Sequence, residues 1–271
     1  MSIERVLFLC LMLAWPSSGF SQTLRYGGDS GASHVYERTQ EDHVRQTVNG
    51  QEQNVDIQSY WRLTTHVREA TPDAVTFEIV HDSISVVGSP SGDANFSAVY
   101  GRSVVLVIGH RGEVRGITVP ESLPATAVRL DLETAYRTFF PVLPAQDVKP
   151  GVSWSDTLAL ESNQNGLDLT VRRVNVYTAG GPTEYGERDA LQVDYTTTLE
   201  MEGSGSQQGA EVSLSGNGSG TGSFFFESDA GLYLGGNEST DVKMDAFIVA
   251  GGQNLLIPIV TNRTERVTLI E

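Results

Sequence analysis

The sequence is poor in cysteine and in positive charge. It has one cysteine, Cys10, and 18 basic residues, of which only Lys149 and Lys243 are lysines, against 34 acidic residues. A single cysteine excludes a disulfide framework and a cysteine-based metal cluster. The formal charge of −16 gives no electrostatic footprint for phosphate backbones or anionic lipid surfaces, which excludes nucleic acid as a partner. Hydrophobic residues make up 39% of the chain, too many for wholesale disorder.

Only one long apolar run is present, and it lies at the start of the chain. Residues 6–14 are apolar, follow Arg5, and are succeeded by Trp15-Pro16 and by small residues that end at Ser21. This pattern predicts a secretory signal peptide over residues 1–21, because the run is too short to span a bilayer. The alternative is a buried N-terminal strand. The preference for arginine over lysine indicates a GC-rich bacterial genome, so we expect a periplasmic or extracellular bacterial protein.

The rest of the chain alternates between apolar and polar residues. In residues 55–67 the apolar side chains fall on odd positions, and residues 191–201 repeat this pattern. Such alternation is typical of antiparallel strands with one face on a core and one in water. The sequence predicts an all-β, mainly antiparallel fold of about eleven strands in one domain, residues 22–271. We expect a curved sheet or half-barrel that ends in a C-terminal strand, residues 255–270.

One stretch has helical spacing instead. In residues 127–140 the apolar side chains of Val128, Leu132, Tyr136 and Phe139 recur at intervals of three and four. This predicts one amphipathic helix packed on the sheet. A proline-rich linker, residues 141–151, follows the helix.

The segments before and after this helix look related. Asn49-Gly50 recurs as Asn165-Gly166, and the residues at 73–78 recur at 189–194 with the same offset. These matches predict two repeats, about residues 33–119 and 152–248. Neither repeat could bury an apolar face alone, so we expect them to share one core.

A short motif carries a family resemblance. The run from Phe140 to Pro144, followed by Gly151 and Trp154, resembles a segment of uncharacterised exported bacterial β-proteins. In that family a Phe-Pro-x-Leu-Pro run leads to a Gly-x-x-Trp strand start. More distantly, the predicted architecture resembles the half-barrel carriers of lipoproteins and lipids in bacterial envelopes. The resemblance implies no known activity, and fold does not fix function.

No residue pattern indicates catalysis or a cofactor. The best histidine pair, His66 and His81, falls on opposite faces of neighbouring strands, so we predict no metal site unless a β-bulge intervenes near Val80. No serine in the Gly-Ser tract, residues 203–222, has the spacing of a nucleophile elbow. This tract is interpreted as a flexible hairpin crown or a glycine-rich strand.

The leading hypothesis is therefore a non-enzymatic binding protein without a cofactor. A curved sheet with a covering helix leaves an apolar concave face that a hydrophobic or lipid-like ligand can share. The candidate ligand-binding residues are Trp61, Leu63, Val193 and Phe225. The alternatives are a structural or interaction module of the cell envelope, whose partner would be an envelope protein, and an unrecognised hydrolase.

Overall fold

The chain forms one unclosed, curved antiparallel sheet of eleven strands in a computed structural model that describes residues 21–88, 95–128, 130–164, 166–207 and 209–271. The order across the sheet is β5-β4-β3-β2-β1-β11-β10-β9-β8-β7-β6. The predicted all-β class and strand number are thus confirmed. The predicted signal peptide lies outside the described residues except for Ser21.

The strands are mostly long, and very little of the chain is helical. The strands are β1 Ser33–Val48, β2 Gln51–Ala70, β3 Ala74–Val87, β4 Ser103–Gly109, β5 Val114–Thr118, β6 Ser153–Gln164, β7 Leu167–Tyr185, β8 Arg188–Gln207, β9 Ala210–Glu227, β10 Leu232–Ala250 and β11 Gln253–Leu269. The helical segments are a 3₁₀ turn at Ser97–Val99, α1 at Ala125–Val128 and α2 at Leu132–Arg137.

The pairing of β1 with β11 joins the two halves of the sheet. Strands β1 to β5 form one meander and β6 to β10 form another, each with neighbours in chain order. Strand β2 begins at Gln51 and β7 begins at Leu167. These two starts are separated by the same number of residues as Asn49 and Asn165, the first match between the predicted repeats. The duplication itself stays a prediction, whereas the C-terminal strand is observed as β11.

The alternation of side chains sets the two faces of the sheet. In β2 the odd residues Trp61, Leu63 and Val67 are buried on the concave face, whereas Asp56 and Arg68 on the other face are exposed. The same parity holds in β8, where Leu191 and Val193 are buried. These faces agree with the period-2 pattern of the sequence.

The core fills only one end of the curved sheet, which we call the base. The hairpin turns β2–β3, β4–β5, β7–β8 and β9–β10 lie at this end, and buried residues such as Phe77, Leu106, Phe224 and Phe226 surround them. The turns β1–β2, β6–β7, β8–β9 and β10–β11 lie at the opposite end, which we call the rim. Toward the rim most concave-facing side chains are only partly buried.

The connection between the two edge strands crosses the concave face. This crossing segment, residues 119–152, runs from β5 to β6 and buries Tyr136, Phe139, Phe140 and Leu143 in the core. The ring of Phe140 stacks on Phe77 at 5.0 Å between centroids. The base of the half-barrel is therefore plugged by aromatic side chains of the chain itself.

The prediction of one continuous helix over residues 127–140 is wrong. Asp131 has a left-handed backbone with φ of +43°, which separates α1 from α2. Its side chain accepts a hydrogen bond from the Thr134 backbone N–H at 3.3 Å and caps α2. Aspartate competes for backbone N–H groups in this way and favours helix starts over helix interiors. The helical period was real, but it belongs to two short pieces.

Strand β9 carries a row of glycines on its concave face. The glycine row consists of Gly216, Gly218, Gly220 and Gly222, with Asn217, Ser219 and Thr221 between them on the outer face. A Cβ atom at Gly216 would lie 2.7 Å from the Lys243 carbonyl oxygen, and one at Gly218 would lie 2.8 Å from that of Asp241. Real Cβ atoms essentially never approach other atoms within 3.0 Å. The sheet curls too tightly here for any side chain.

The tract of residues 203–222 is thus part of two strands. It covers the end of β8 and most of β9, paired along its length. Of the two interpretations of this tract, the glycine-rich strand is observed.

We predict that Gly220→Ala destabilises the protein by about 1–3 kcal/mol, the usual cost of overpacking. The added methyl would collide with the Ser239 carbonyl oxygen and the Thr240 methyl group. The control is Ser219→Ala, whose side chain is exposed on the outer face of the same strand. Urea unfolding of both variants checks this. Equal stability of the two variants would contradict the steric role of the glycine row.

Candidate functional site

The concave face above the core is lined by apolar side chains from four strands. They project at alternate positions, are partly buried, and line one cavity. We call them the apolar wall: Leu158 and Leu160 of β6, Leu169 and Val171 of β7, Leu199 and Met201 of β8, and Val242 and Met244 of β10. On the outer face the positions between the members of each pair are exposed and are Ala159, Thr170, Glu200 and Lys243, so these eight side chains form a wall on the concave side alone.

Between the apolar wall and the core runs a belt of ion pairs. It consists of Arg38 with Glu265, Arg263 with Asp42, and Arg173 with Glu238. Three arginines face three carboxylates, so the belt has no net charge. Its members come from β1, β7, β10 and β11, so it spans the part of the concave face between β1 and β7.

Arg38 is the least exposed arginine of the belt. Arg38 makes a two-pronged contact with Glu265, with Nε to Oε1 at 3.0 Å and Nη2 to Oε2 at 2.8 Å. Its guanidinium also lies 5.1 Å from the centre of the Trp61 ring, within cation–π range. Gln40 then bridges Arg38 to Asp42 through hydrogen bonds of 3.4 and 2.6 Å.

The Arg173 end depends on the glycine row. Arg173 on β7 reaches Glu238 on β10 across two intervening strands. The Tyr195 hydroxyl on β8 donates to the same carboxylate at 2.8 Å. Strands are spaced by about 4.8 Å, so a flat sheet would hold β7 and β10 some 14 Å apart. The tight curl at β9 and its missing side chains bring these groups together.

The wall, the belt and the aromatic floor enclose a single cavity. Its volume is about 1310 Å³, and its floor includes Phe139, Phe140, Phe224 and Tyr233. Trp154 of β6 closes one side, where its Nε1–H donates to the Val142 carbonyl oxygen at 2.9 Å. The cavity is therefore apolar above and aromatic below, with a neutral polar belt between.

The four candidate ligand-binding residues occupy different places. Trp61 lines the cavity beside Arg38. Leu63 and Val193 are fully buried in the core at the base. Phe225 lies on the outer face, where it stacks on Tyr185 at 4.4 Å, and its neighbour Phe224 lines the cavity instead. The sequence alternation that places glycines at even positions of β9 continues to Phe224 and would have identified it.

Sequence reasoning missed the belt and the apolar wall as functional groups. Asp42 and Arg263 are far apart in the chain, and only the β1–β11 pairing brings them together. The alternating pattern predicts that the wall residues lie on the apolar face of strands. Nothing in the sequence shows that the filled core ends between them and the base.

The histidines are placed as the strand faces predicted. His81 is fully buried on the concave face, and His66 is on the outer face opposite Glu78. A bulge in β3 follows His81, between Leu63 and Arg62 of β2, and does not bring the two rings together. His110 lies in the β4–β5 turn and contacts the carbonyl oxygens of Tyr26 and Thr71.

Two further findings concern the residues that the structure describes. Among them, no three or more His, Cys, Asp and Glu side chains gather as they would around a metal ion. In the same part of the chain, no helix has the length and apolarity needed to cross a membrane.

Comparison with known proteins assigns the chain to no family. No protein-family model and no curated protein matches it. Pseudomonas aeruginosa OccK2 (OpdF) matches at 8% identity and TM-score 0.31, over 89% of this chain and 98% of that one. OccK2 in complex with glucuronate matches at 9% identity and TM-score 0.33, over 90% of this chain and 100% of that one. Salmonella typhi OmpF in complex with daunomycin matches at 7% identity and TM-score 0.25, over 89% of this chain and 100% of that one.

These neighbours are channel or porin-like β-barrels of outer membranes. Likenesses with TM-scores this low say nothing about what the chain binds. The resemblance to exported bacterial β-proteins stays a prediction.

One buried contact in the core makes stability depend on pH. The Tyr136 hydroxyl lies 2.7 Å from His81 Nε2 and ties α2 to β3. Burial lowers the pKa of His81 to about 4 from 6.5. The folded pKa lies below the unfolded one, so this contribution is complete above about pH 6.5. It is lost as the pH falls toward 4.

We predict that protonation of His81 alone lowers the free energy of unfolding by about 2 kcal/mol when the pH falls from 7 to 4.5. The measurement is urea unfolding at both pH values for the parent chain and for His81→Gln. The parent should lose about that much more stability than the variant. His66→Gln, on the outer face, is the control and should behave as the parent does. An equal loss in the parent and His81→Gln would show that the ring does not titrate as buried.

Proposed function

We propose that the protein is a non-enzymatic binding protein whose concave face holds one amphipathic, lipid-like ligand. The observation that carries this proposal is the cavity of about 1310 Å³, with its apolar wall and neutral ion-pair belt. Pockets for small molecules usually measure about 300–1,000 Å³ and are mostly apolar with a few placed polar groups. This cavity is larger, which suits a long or branched hydrocarbon, and its lining joins the apolar wall to more charged side chains, such as Arg111 and Asp156, than those of the belt.

The chemistry of the lining sets the orientation of the ligand. The apolar wall lies between the belt and the rim. Hydrocarbon chains of the ligand therefore contact wall residues such as Leu158, Leu199 and Met244. The polar end of the ligand meets the belt, where Arg263 is about half exposed and available to a hydrogen-bond acceptor.

Export completes the proposal. The predicted signal peptide, residues 1–21, would deliver the protein to the periplasm or the exterior of a bacterium. A hydrophobic ligand in an aqueous compartment needs a protein that shields its chains from water.

A second function is favoured by the strand edges. Among the described residues β6 pairs only with β7 and β5 only with β4, so the sheet has two edges that another strand could join. Contact with an envelope protein through β6 would not need the apolar wall.

The ligand proposal is tested by titrating cis-parinaric acid, a fluorescent fatty acid, into the protein. We expect saturable binding, weakened about tenfold in Leu199→Gln because an apolar contact with the hydrocarbon is lost. The matched control is Thr198→Gln, one residue earlier on the exposed outer face, which should bind as the parent does.

Thermal unfolding of both variants separates a binding defect from a folding defect. Equal affinity of the parent and Leu199→Gln would contradict binding on the concave face. If the protein takes up no fatty acid but captures a strand-forming peptide, the edge function is favoured instead.

A further inference from the structure

The end of the β10–β11 hairpin has no charged residue. We call it the rim hairpin, residues 246–262, which lie between Asp245 and Arg263. The rest of the chain is strongly acidic, with a formal charge of −16. Residues 212–226 also lack Asp, Glu, Lys, Arg and His, but Gly and Ser dominate that run, whereas the rim hairpin is mostly apolar.

The rim hairpin is apolar on both of its faces. Ile248, Leu255 and Ile257 point to the concave side and are partly buried. Phe247 and Leu256 point outward, face each other across the strands, and are 41% and 55% exposed. Sheets with one wet face carry polar residues on that face, and the outer face does so elsewhere in β10, at Asp241 and Lys243.

This hairpin also projects beyond its neighbour on one side. In the part of the chain that the structure describes, the β1–β11 pairing ends with Gln46 opposite Ile259. Strand β1 runs two residues further, to Val48, and β11 begins at Gln253, so the first four residues of β11 pass the end of β1. At about 3.3 Å per residue the projection is about 13 Å. Its turn, Gly251-Gly252, has positive φ at both glycines.

The other rim turns are polar. Each of them is followed within a few residues by a carboxylate: Glu52 after the β1–β2 turn, Asp168 after the β6–β7 turn and Glu211 after the β8–β9 turn. The projecting apolar end is therefore particular to the β10–β11 hairpin rather than a property of the rim.

We propose that the rim hairpin inserts shallowly into the surface of a lipid bilayer with zwitterionic headgroups. A medium that surrounds both faces suits a hairpin that is apolar on both, because a folded protein partner would cover one face and leave the other in water. Exposed apolar side chains at an interface bind in proportion to the apolar area they bury. The acidic chain would be repelled by anionic lipids, which selects uncharged surfaces.

The position of the hairpin determines which end of the cavity would lie next to the bilayer. On the concave face of β10 the apolar side chains of Val242 and Met244 in the wall continue into Ala246 and Ile248 of the hairpin. A bilayer at the hairpin would thus adjoin the rim end of the cavity. The membrane contact does not depend on the proposed ligand, since Phe247 and Leu256 face away from the cavity.

The test is co-sedimentation of the protein, purified in the form its cells produce, with phosphatidylcholine vesicles. We expect binding that falls at least tenfold in the double variant Phe247→Ser/Leu256→Ser. Replacing part of the lipid with phosphatidylglycerol should weaken it. The matched control is Val176→Ser, which removes an apolar residue of 47% exposure from the outer face of β7.

A spectroscopic reading locates the contact. The fluorescence of Phe247→Trp should shift to the blue on addition of vesicles, whereas that of Val176→Trp should not. The proposal is overturned if the parent does not bind phosphatidylcholine vesicles, if the double variant binds as the parent does, or if binding needs anionic lipid. Titration with cis-parinaric acid on the double variant keeps the two proposals separate, because its affinity should be unchanged.

Discussion

The shape of this protein depends on the absence of side chains along one face of β9. The glycine row lets β8 and β10 approach each other across β9, and positions such as Gly218 have no room for a Cβ atom. The contact between Arg173 and Glu238, three strands apart in the sheet, exists only because of this curl. The curvature, the belt and the cavity thus share one local cause, and it lies in the tract that looks least informative in the sequence.

The division between a filled base and an open rim follows from where the large side chains are. Aromatic residues are concentrated at the base, and the crossing segment adds Phe139 and Phe140 to them. Toward the rim the concave side chains include Leu, Val and Met residues that are only partly buried. An apolar surface left open in this way is the part of the fold with capacity for a ligand.

Much of the fold could be predicted from the sequence because β-strands with one wet face have a period that residues display directly. The faces of β2 and β8 followed from the parity of Leu63 and Val193. The helix failed because Asp131 sits at a helical position but caps a new turn, and spacing alone does not show this. Phe225 was placed on the wrong face because three consecutive phenylalanines carry no parity of their own.

The site could be predicted only in outline, since its parts meet through long-range pairing. No local pattern relates Asp42 to Arg263 or Arg38 to Glu265; the register of β1 with β11 does. Nor does periodicity distinguish a concave face that is filled from one that is open. That distinction depends on where the crossing segment runs: its Asp131 accepts a hydrogen bond from Ser162 of β6, and a cavity of about 1310 Å³ stays open beside it.

The central claim is that the concave face carries a lipid-like molecule, and native mass spectrometry of the protein purified from its host tests it most directly. The account predicts an added, non-covalent mass of lipid size that is reduced when Leu199 is replaced by glutamine. A chain recovered only at its own mass, both before and after exposure to lipid, would contradict it.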